Sequence, residues 1–426
     1  MTNAKSNEQI RLRLSVLSDI HVTWFDEYHY EGYENLDRAL ALHTEKLPFA
    51  DAFLFTGDTV YQVDASTKSV CENLYPVIYE RAKSLFNTYI PNTPRVMIMG
   101  NHEYPQCNAD PELTAAAQRM FREAYGQELD VHTRVNGYHV IAASVRSWKI
   151  PKSPDVEAWL MKEIDTAIAE DPMKPVFLML HNPLPGTVTF AIKYTVGQYS
   201  DEFMAWLKTK PQVITLSGHC HNVNEDDSCI WQGGYTQVNI PIVAVGYMRF
   251  DGNGAANFQN DYGTVFGKSQ SVQITVDEND LVTVYSYDNM TGNEIQRWEI
   301  DIPGIVSGRT APLYTDEAHA LWPAPTFGEN ASVTVAMKDE QPCLRIIQDF
   351  LPYPHCIKYY FIAFENTKSG ETYTVTYPTD YFNGKMADVI CKPLPKLASG
   401  SYRVTVRAAN AFNKQSENSV TTVITV

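Results

Sequence analysis

Five short apolar runs in this chain each stop at a polar cluster, and that order constrains the fold more than any other feature. The runs are Leu12 to Leu17, Ala52 to Phe55, Val96 to Met99, Val176 to Leu180 and Val213 to Leu216. The clusters are Asp19-Ile20-His21, Gly57-Asp58, Gly100-Asn101-His102-Glu103, the single His181, and Gly218-His219-Cys220-His221. Short apolar segments bounded by Gly and polar residues read as buried strands. Side chains carried at the carboxyl ends of several strands can converge on one crevice. Seven oxygen or nitrogen metal ligands thus stand where strands stop, a pattern that packing does not explain. The reading is a metal-dependent hydrolase.

With 426 residues and 44% hydrophobic content, the chain can build roughly two or three domains with full cores. A net charge of −16 argues against a protein that grips extended nucleic acid through its phosphates. No stretch has the length of a membrane-spanning helix. Met1 to Ile10 is polar and lacks the apolar core of a signal peptide. The expected compartment is therefore cytoplasmic, unless a signal has been removed upstream. Seven cysteines without a CxxC pair fit reduced thiols, although Cys343, Cys356 and Cys391 leave room for one bridge.

Over the first 300 residues, strand-like runs alternate with helical patterns at Tyr33 to Leu47, Asp155 to Glu170 after Pro154, and Asp201 to Lys208. After His221 the helical periodicity gives way to strands at Gln237 to Met248, Ser271 to Asp277, Leu281 to Asp288 and Ile295 to Ile300. Asp277 to Asp280 forms a hairpin turn between two of them. The expected division is a catalytic domain over 1–302, a linker over 303–330 and a β-sandwich over 331–426. Leu397 to Asn410 resembles the later strands of a fibronectin type III domain. The resemblance makes Tyr402 the corner tyrosine whose hydroxyl caps a backbone turn.

Residues two apart on an extended strand end point the same way. Asp19 with His21, and His219 with His221, can each aim two ligands at one pocket, leaving Ile20 and Cys220 facing away. Carboxylate, imidazole and amide oxygen suit manganese, iron or zinc rather than a structural thiolate site.

The ordered set D-x-H, G-D, G-N-H-[DE], H and G-H-x-H resembles the calcineurin-like metallophosphoesterase superfamily. Its D-x-H and G-N-H-E elements look most like the bacterial class III cyclic nucleotide phosphodiesterase group. The resemblance implies a four-layer α/β/β/α sandwich holding two metal ions. Asp19, His21, Asp58 and His221 would hold the first ion; Asp58 would bridge to the second, completed by Asn101, His181 and His219. It implies hydrolysis of a phosphodiester, a cyclic nucleotide among the candidates, by in-line attack of a hydroxide shared between ions about 3.5–4 Å apart. His102 would stabilise charge and protonate the leaving oxygen. Glu103 would be a hydrogen-bond partner of the ligands, and Gly57, Gly100 and Gly218 would provide tight turns.

His29, His43, His132, His139, His319 and His355 are expected in ordinary surface or core roles, with His29 the best candidate for substrate contact. Trp24 to Tyr33, Tyr104 to Asp110 and Gly186 to Ser200 are the expected walls of the pocket. Gly57-Asp58-Thr59-Val60-Tyr61 also matches the G-D-x-x-Y of purple acid phosphatases, in which the tyrosine binds iron. Here His21 already supplies the ligand that Tyr61 would replace. The alternatives are a phosphomonoesterase of the same superfamily, purple-acid-phosphatase-like or nucleotidase-like, and a non-catalytic surface or binding protein.

Overall fold

The structure is a computed structural model that describes residues 9–22, 32–61, 68–104, 110–147, 153–188, 198–244, 246–249, 262–265, 268–383 and 385–426. It divides into two compact units. The first takes the described residues up to Asn224 with Cys229–Arg249 and Gly263–Thr315, and the second takes Glu225–Ser228 and Asp316–Val426.

In chain order the first unit contains β1 (Ile10–Leu17), α1 (Gly32–Lys46), β2 (Ala52–Phe55), α2 (Lys68–Tyr89), β3 (Arg95–Met97) and α3 (Pro111–Tyr125). There follow β4 (Asp130–Val135), β5 (Tyr138–Ala143), α4 (Pro154–Glu170), β6 (Val176–Leu180), α5 (Asp201–Leu207) and β7 (Val213–Ser217). The unit continues with β8 (Ile230–Gln232), β9 (Thr236–Asn239), β10 (Gly246–Arg249), β11 (Tyr262–Val265), β12 (Gln270–Asp277), β13 (Leu281–Asp288), β14 (Glu294–Asp301) and the short α6 (Ile302–Val306).

Twelve of these strands form two six-stranded sheets, ordered β14-β13-β12-β1-β2-β3 and β4-β5-β6-β7-β9-β8, and β10 pairs with β11 in a separate two-stranded sheet. β1, β2 and β3 run parallel at one side of the first sheet, which β12, β13 and β14 extend in antiparallel fashion, and β5, β6, β7 and β9 run parallel through the centre of the second. Parallel strands covered on both faces need apolar side chains on both, which explains the unbroken apolar runs.

The two-residue period sorts those side chains between layers. Leu12, Leu14, Val16, Ala52 and Leu54 meet Val140, Phe177, Ile214 and Leu216 between the sheets. Leu17, Phe53, Phe55 and Met97 point outward onto Leu36, Tyr79, Phe86 and Phe121 of α1, α2 and α3. Ile141, Leu178 and Val213 pack on Leu160, Ile164, Phe203 and Leu207 of α4 and α5. The unit is the expected α/β/β/α sandwich. No described helix is long and apolar enough to cross a membrane.

The elements depart from the sequence reading in several places. Gln237 to Met248 is not one strand: β9 ends at Asn239 and β10 begins at Gly246, with Pro241, which has no N–H to give a ladder, in the gap. The 22-residue α2, with Pro76 inside it, was not anticipated at all. Pro76 is exposed, so the carbonyl deprived of a partner faces water.

The second unit opens with the helix α7 (Asp316–Ala320) and then holds β15 (Ser332–Lys338), β16 (Gln341–Ile347), β17 (Ile357–Asn366), β18 (Thr372–Pro378), β19 (Val389–Pro393), β20 (Ser401–Asn410) and β21 (Val420–Thr425). They form antiparallel sheets of three strands, β15-β16-β19, and four, β18-β17-β20-β21. Val333, Leu344, Ile346, Tyr360, Ile362, Phe364, Val404 and Val406 share one core. Tyr402 donates its hydroxyl to the Ala398 carbonyl at 3.0 Å, the turn cap expected of it.

Candidate metal centre

The polar clusters lie just beyond the carboxyl ends of β1, β2, β3, β6 and β7, and the sandwich gathers them at one place. The chain after β1 runs beside the chain after β2. Asp19 N–H donates to Gly57 O at 3.0 Å, His21 N–H to Asp58 O at 3.0 Å and Val22 N–H to Thr59 O at 2.9 Å. Locked this way, the backbone adopts an uncommon conformation. Asp19, His21, Asp58, His219 and His221 have φ values of 50°, 51°, 52°, 67° and 55°. Left-handed geometry is disfavoured for any residue with a Cβ and persists where the surroundings over-determine it.

This corrects the geometry expected from the sequence. Left-handed turns, not an extended strand end, aim Asp19 with His21 and His219 with His221. The residues between them do face elsewhere. Ile20 packs in the core beside α1 and α2, and Cys220 is fully buried outside either ligand group.

Two groups of ligand atoms result. Asp19, His21, Asp58 and His221 converge in one, and Asp58, His181 and His219 in the other. Asp58 belongs to both. In the first, His221 Nε2 lies 3.0 Å from Asp19 Oδ1 and 3.2 Å from His21 Nε2. Ligands on a common ion at about 2.1 Å stand roughly 3.0–3.4 Å apart in octahedral or tetrahedral geometry. In the second, His181 Nε2 lies 3.2 Å from Asp58 Oδ2 and 3.1 Å from Asn101 Oδ1. All seven predicted ligand residues are thus gathered, with His219 half-buried and the others buried.

A model of the calcineurin-like phosphoesterase family matches residues 12–223. Residues 12–223 are a calcineurin-like phosphoesterase domain. No curated protein matches the chain in sequence. Among solved structures, a purple acid phosphatase from yellow lupin (Lupinus luteus) is 14% identical, with a TM-score of 0.49, over 71% of this chain and 57% of that one. This chain therefore spans little more than half of that relative. A phosphatase from Mycoplasma pneumoniae is 12% identical, with a TM-score of 0.30, over 68% of this chain and 92% of that one.

The electrostatics of the phosphoesterase domain fit cations. Burial alone would raise the Asp58 carboxyl, but His181 and His102 beside it hold it well below its ordinary value. Asp19 is likewise lowered, burial being outweighed by His221. Burial and the neighbouring His102 push His21 down to about 3, so its ring is neutral and offers a lone pair. Burial opposes charge on His181, yet Asp58 carries it up to about 9; a proton there occupies the position of a cation. His181 Nδ1 donates to the Thr56 carbonyl at 2.9 Å, which leaves Nε2 for the metal side. Asp58 Oδ2 is buried and faces His181 Nε2 within the second ligand group.

Around the ligands stands a shell of supports. The Glu103 carboxylate accepts from the backbone N–H groups of Gly100 (2.5 Å), Asp58 (3.1 Å), Thr59 (2.6 Å) and Val60 (3.2 Å). Asp19 accepts from Ser18 Oγ at 2.6 Å and from His219 N–H at 3.0 Å. Ser18 and Thr56 were not singled out in the sequence, though each directly precedes a motif. A Cβ on Gly100 would collide with the Asp58 carboxylate and backbone nitrogen, so this glycine is required by close approach.

His102 belongs to neither ligand group. Its side chain is 18% exposed, with Nε2 4.0 Å from Asp58 Oδ2, and its backbone N–H donates to Asp58 Oδ1 at 2.8 Å. It is the imidazole at the open side of a buried cluster. Tyr61 stacks near it, ring centroids 5.9 Å apart, and meets His21 edge-on at 5.8 Å. His29 and most of the three expected wall segments lie outside the described residues. Gln198 and Tyr199, at the end of the third, line a cavity of about 50 Å³ that also touches His181.

Proposed function

We propose that this metallophosphoesterase hydrolyses phosphodiesters, cyclic nucleotides among them. Asp19, His21, Asp58 and His221 hold one ion, and Asp58, Asn101, His181 and His219 hold a second. The observation that carries the reading is the membership of Asp58 in both ligand groups. When bound, the paired ions supply the charge that acidifies a water and neutralises phosphoryl oxygens. The oxygen and nitrogen donor set suits manganese, iron or zinc.

The chain's own part is positional and protolytic. Asp58 would be a ligand to both ions, and Glu103 holds the Asp58 backbone in place. His102 protonates the departing oxygen from the open side of the site.

Charge favours the diester. Two divalent ions against Asp19 and Asp58 leave two positive charges, and a hydroxide nucleophile reduces these to one. A phosphodiester monoanion brings that to zero, whereas a monoester dianion overshoots it. The strongest electrostatic neighbours of Asp19, His21, Asp58, His102 and His181 are one another and His221.

The test is hydrolysis of bis(p-nitrophenyl) phosphate beside p-nitrophenyl phosphate by manganese-loaded protein, with Asn101→Ala and His102→Ala as controls. The reading requires preference for the diester, lost in both variants. Preference for the monoester would make the protein a phosphomonoesterase, and no turnover of either with two metals bound would favour a binding role. The second unit, with three- and four-stranded antiparallel sheets and a capping Tyr402, is proposed as a fibronectin type III-like module.

A further inference from the structure

The second unit contains a pair of cysteines that the phosphoesterase chemistry does not use. On β16, Leu344 and Ile346 face the core, so Cys343 and Arg345 take the opposite face. On β19, Ile390 packs against the core and Cys391 takes the opposite face. The register pairs Cys343 with Pro393 and Arg345 with Cys391. The cysteines are therefore diagonal cross-strand neighbours on one face, and the two thiols interact directly. Cys343 is buried and Cys391 half-buried, so one thiol is open to an oxidant and the other lies behind it. Burial, together with direct contact from the Cys391 thiol, raises the Cys343 thiol above its ordinary value. Cys356, the third cysteine of this region, directly precedes β17 of the other sheet, and its backbone N–H is held by Asp227 Oδ2 at 2.5 Å.

We propose that Cys343 and Cys391 are a thiol–disulfide modification site, forming a cross-strand bond on the outer face of the three-stranded sheet. The oxidant is a small disulfide such as oxidised glutathione. The Cys391 thiolate attacks one sulfur of that disulfide, forms a mixed disulfide and releases one glutathione thiolate. The Cys343 thiolate then attacks Cys391 Sγ and releases the second. Two protein thiols and one disulfide become one protein disulfide and two glutathione thiols, with both protons and both electrons passing to glutathione. The bond closes the loop that carries β17 and β18, which constrains the unfolded chain. The thermal midpoint of the second unit rises by at least about 5 °C.

The experiment incubates the full chain with excess oxidised glutathione, alkylates the remaining thiols and maps peptides without reduction. The expected product is a Cys343–Cys391 linked peptide pair that dithiothreitol separates. In Cys343→Ser the link is gone and Cys391 carries a glutathione adduct. Alkylation of both cysteines in the treated wild type would overturn the proposal. So would a stable glutathione adduct on wild-type Cys391, or a link from either cysteine to another. The wild-type map decides the matter even if the variant fails to fold.

Discussion

Glu103 holds Asp58 by its backbone: Glu103 Oε2 accepts from the Asp58 N–H at 3.1 Å while Oε1 grips the next two residues. The same Oε2 accepts from Gly100 N–H at 2.5 Å, which ties the loop after β2 to the loop after β3. Glu103→Gln presents an amide NH₂ to some of these donors, leaving buried N–H groups unpaired at roughly 1–3 kcal/mol each. We expect a loss of about 2–4 kcal/mol in urea unfolding and a 10–100-fold weakening of metal binding, as for other outer-sphere partners. A variant with wild-type metal affinity would show that Asp58 needs no such anchor.

His102 stands outside both ligand groups, so its removal should separate chemistry from binding. His102→Ala should keep the metal content and lower kcat by about 10²–10⁴, the range for a lost general acid. Steady-state kinetics on a diester with a poor leaving group, beside metal analysis of the same sample, measures both. Full activity would remove His102 from the mechanism.

Gly100→Ala tests close packing rather than chemistry. The added methyl meets the Asp58 carboxylate and backbone, and overpacking of this kind costs about 1–3 kcal/mol. Metal affinity should fall with it, because the displaced group is the shared ligand. Unchanged metal titration curves would contradict the arrangement of these loops.

Tyr61 sits beside His21 and His102 with ring centroids near 6 Å, 5.8 and 5.9 Å respectively. Since His21 converges with the first ligand group, iron-loaded protein should lack a tyrosinate charge-transfer band. Tyr61→Phe should bind metal as the wild type does. A purple sample that bleaches in Tyr61→Phe would make the tyrosine a ligand.

His43 carries a pH dependence away from the metal centre. Its ring is buried, Nε2 donates to Ser271 Oγ at 2.7 Å, and Ser271 in turn donates to Asn289. Burial pushes His43 from 6.5 down to about 3. Below pH 6.5 the unfolded chain takes up a proton that the native chain refuses. This contribution is thus complete above pH 6.5 and is lost as the pH falls toward 3, at about 1.4 kcal/mol per unit once well below 6.5. Between pH 7 and 5.5 the wild type should lose about 1 kcal/mol more than His43→Gln in matched urea titrations. Equal losses would mean that His43 is protonated in the fold.

The seven candidate ligand residues were legible because metal chemistry depends on side-chain type and on strand ends, and both leave a mark in sequence. Their backbone was not. The left-handed turns at Asp19, His21 and Asp58 arise from hydrogen bonds between two distant loops, which no local pattern encodes. Helix α3 had readable signals, with Asp110 capping Glu112 N–H, Pro111 in the first turn and left-handed Gly126 at its end, yet it was missed. Pro76 masked α2, since proline inside a helical pattern reads as a break. The hydrogen bond from Tyr402 to the Ala398 carbonyl was legible because a tyrosine capping a nearby turn is a local feature.

The account stands most directly on Asp58 as a shared ligand, and metal stoichiometry reads that out. Inductively coupled plasma mass spectrometry of manganese-dialysed protein should give two ions per chain for the wild type. It should give one for His21→Ala, which disturbs a single group, and fewer than one for Asp58→Ala, which removes the ligand common to both. One ion per chain in the wild type, or two in Asp58→Ala, would contradict the dinuclear centre.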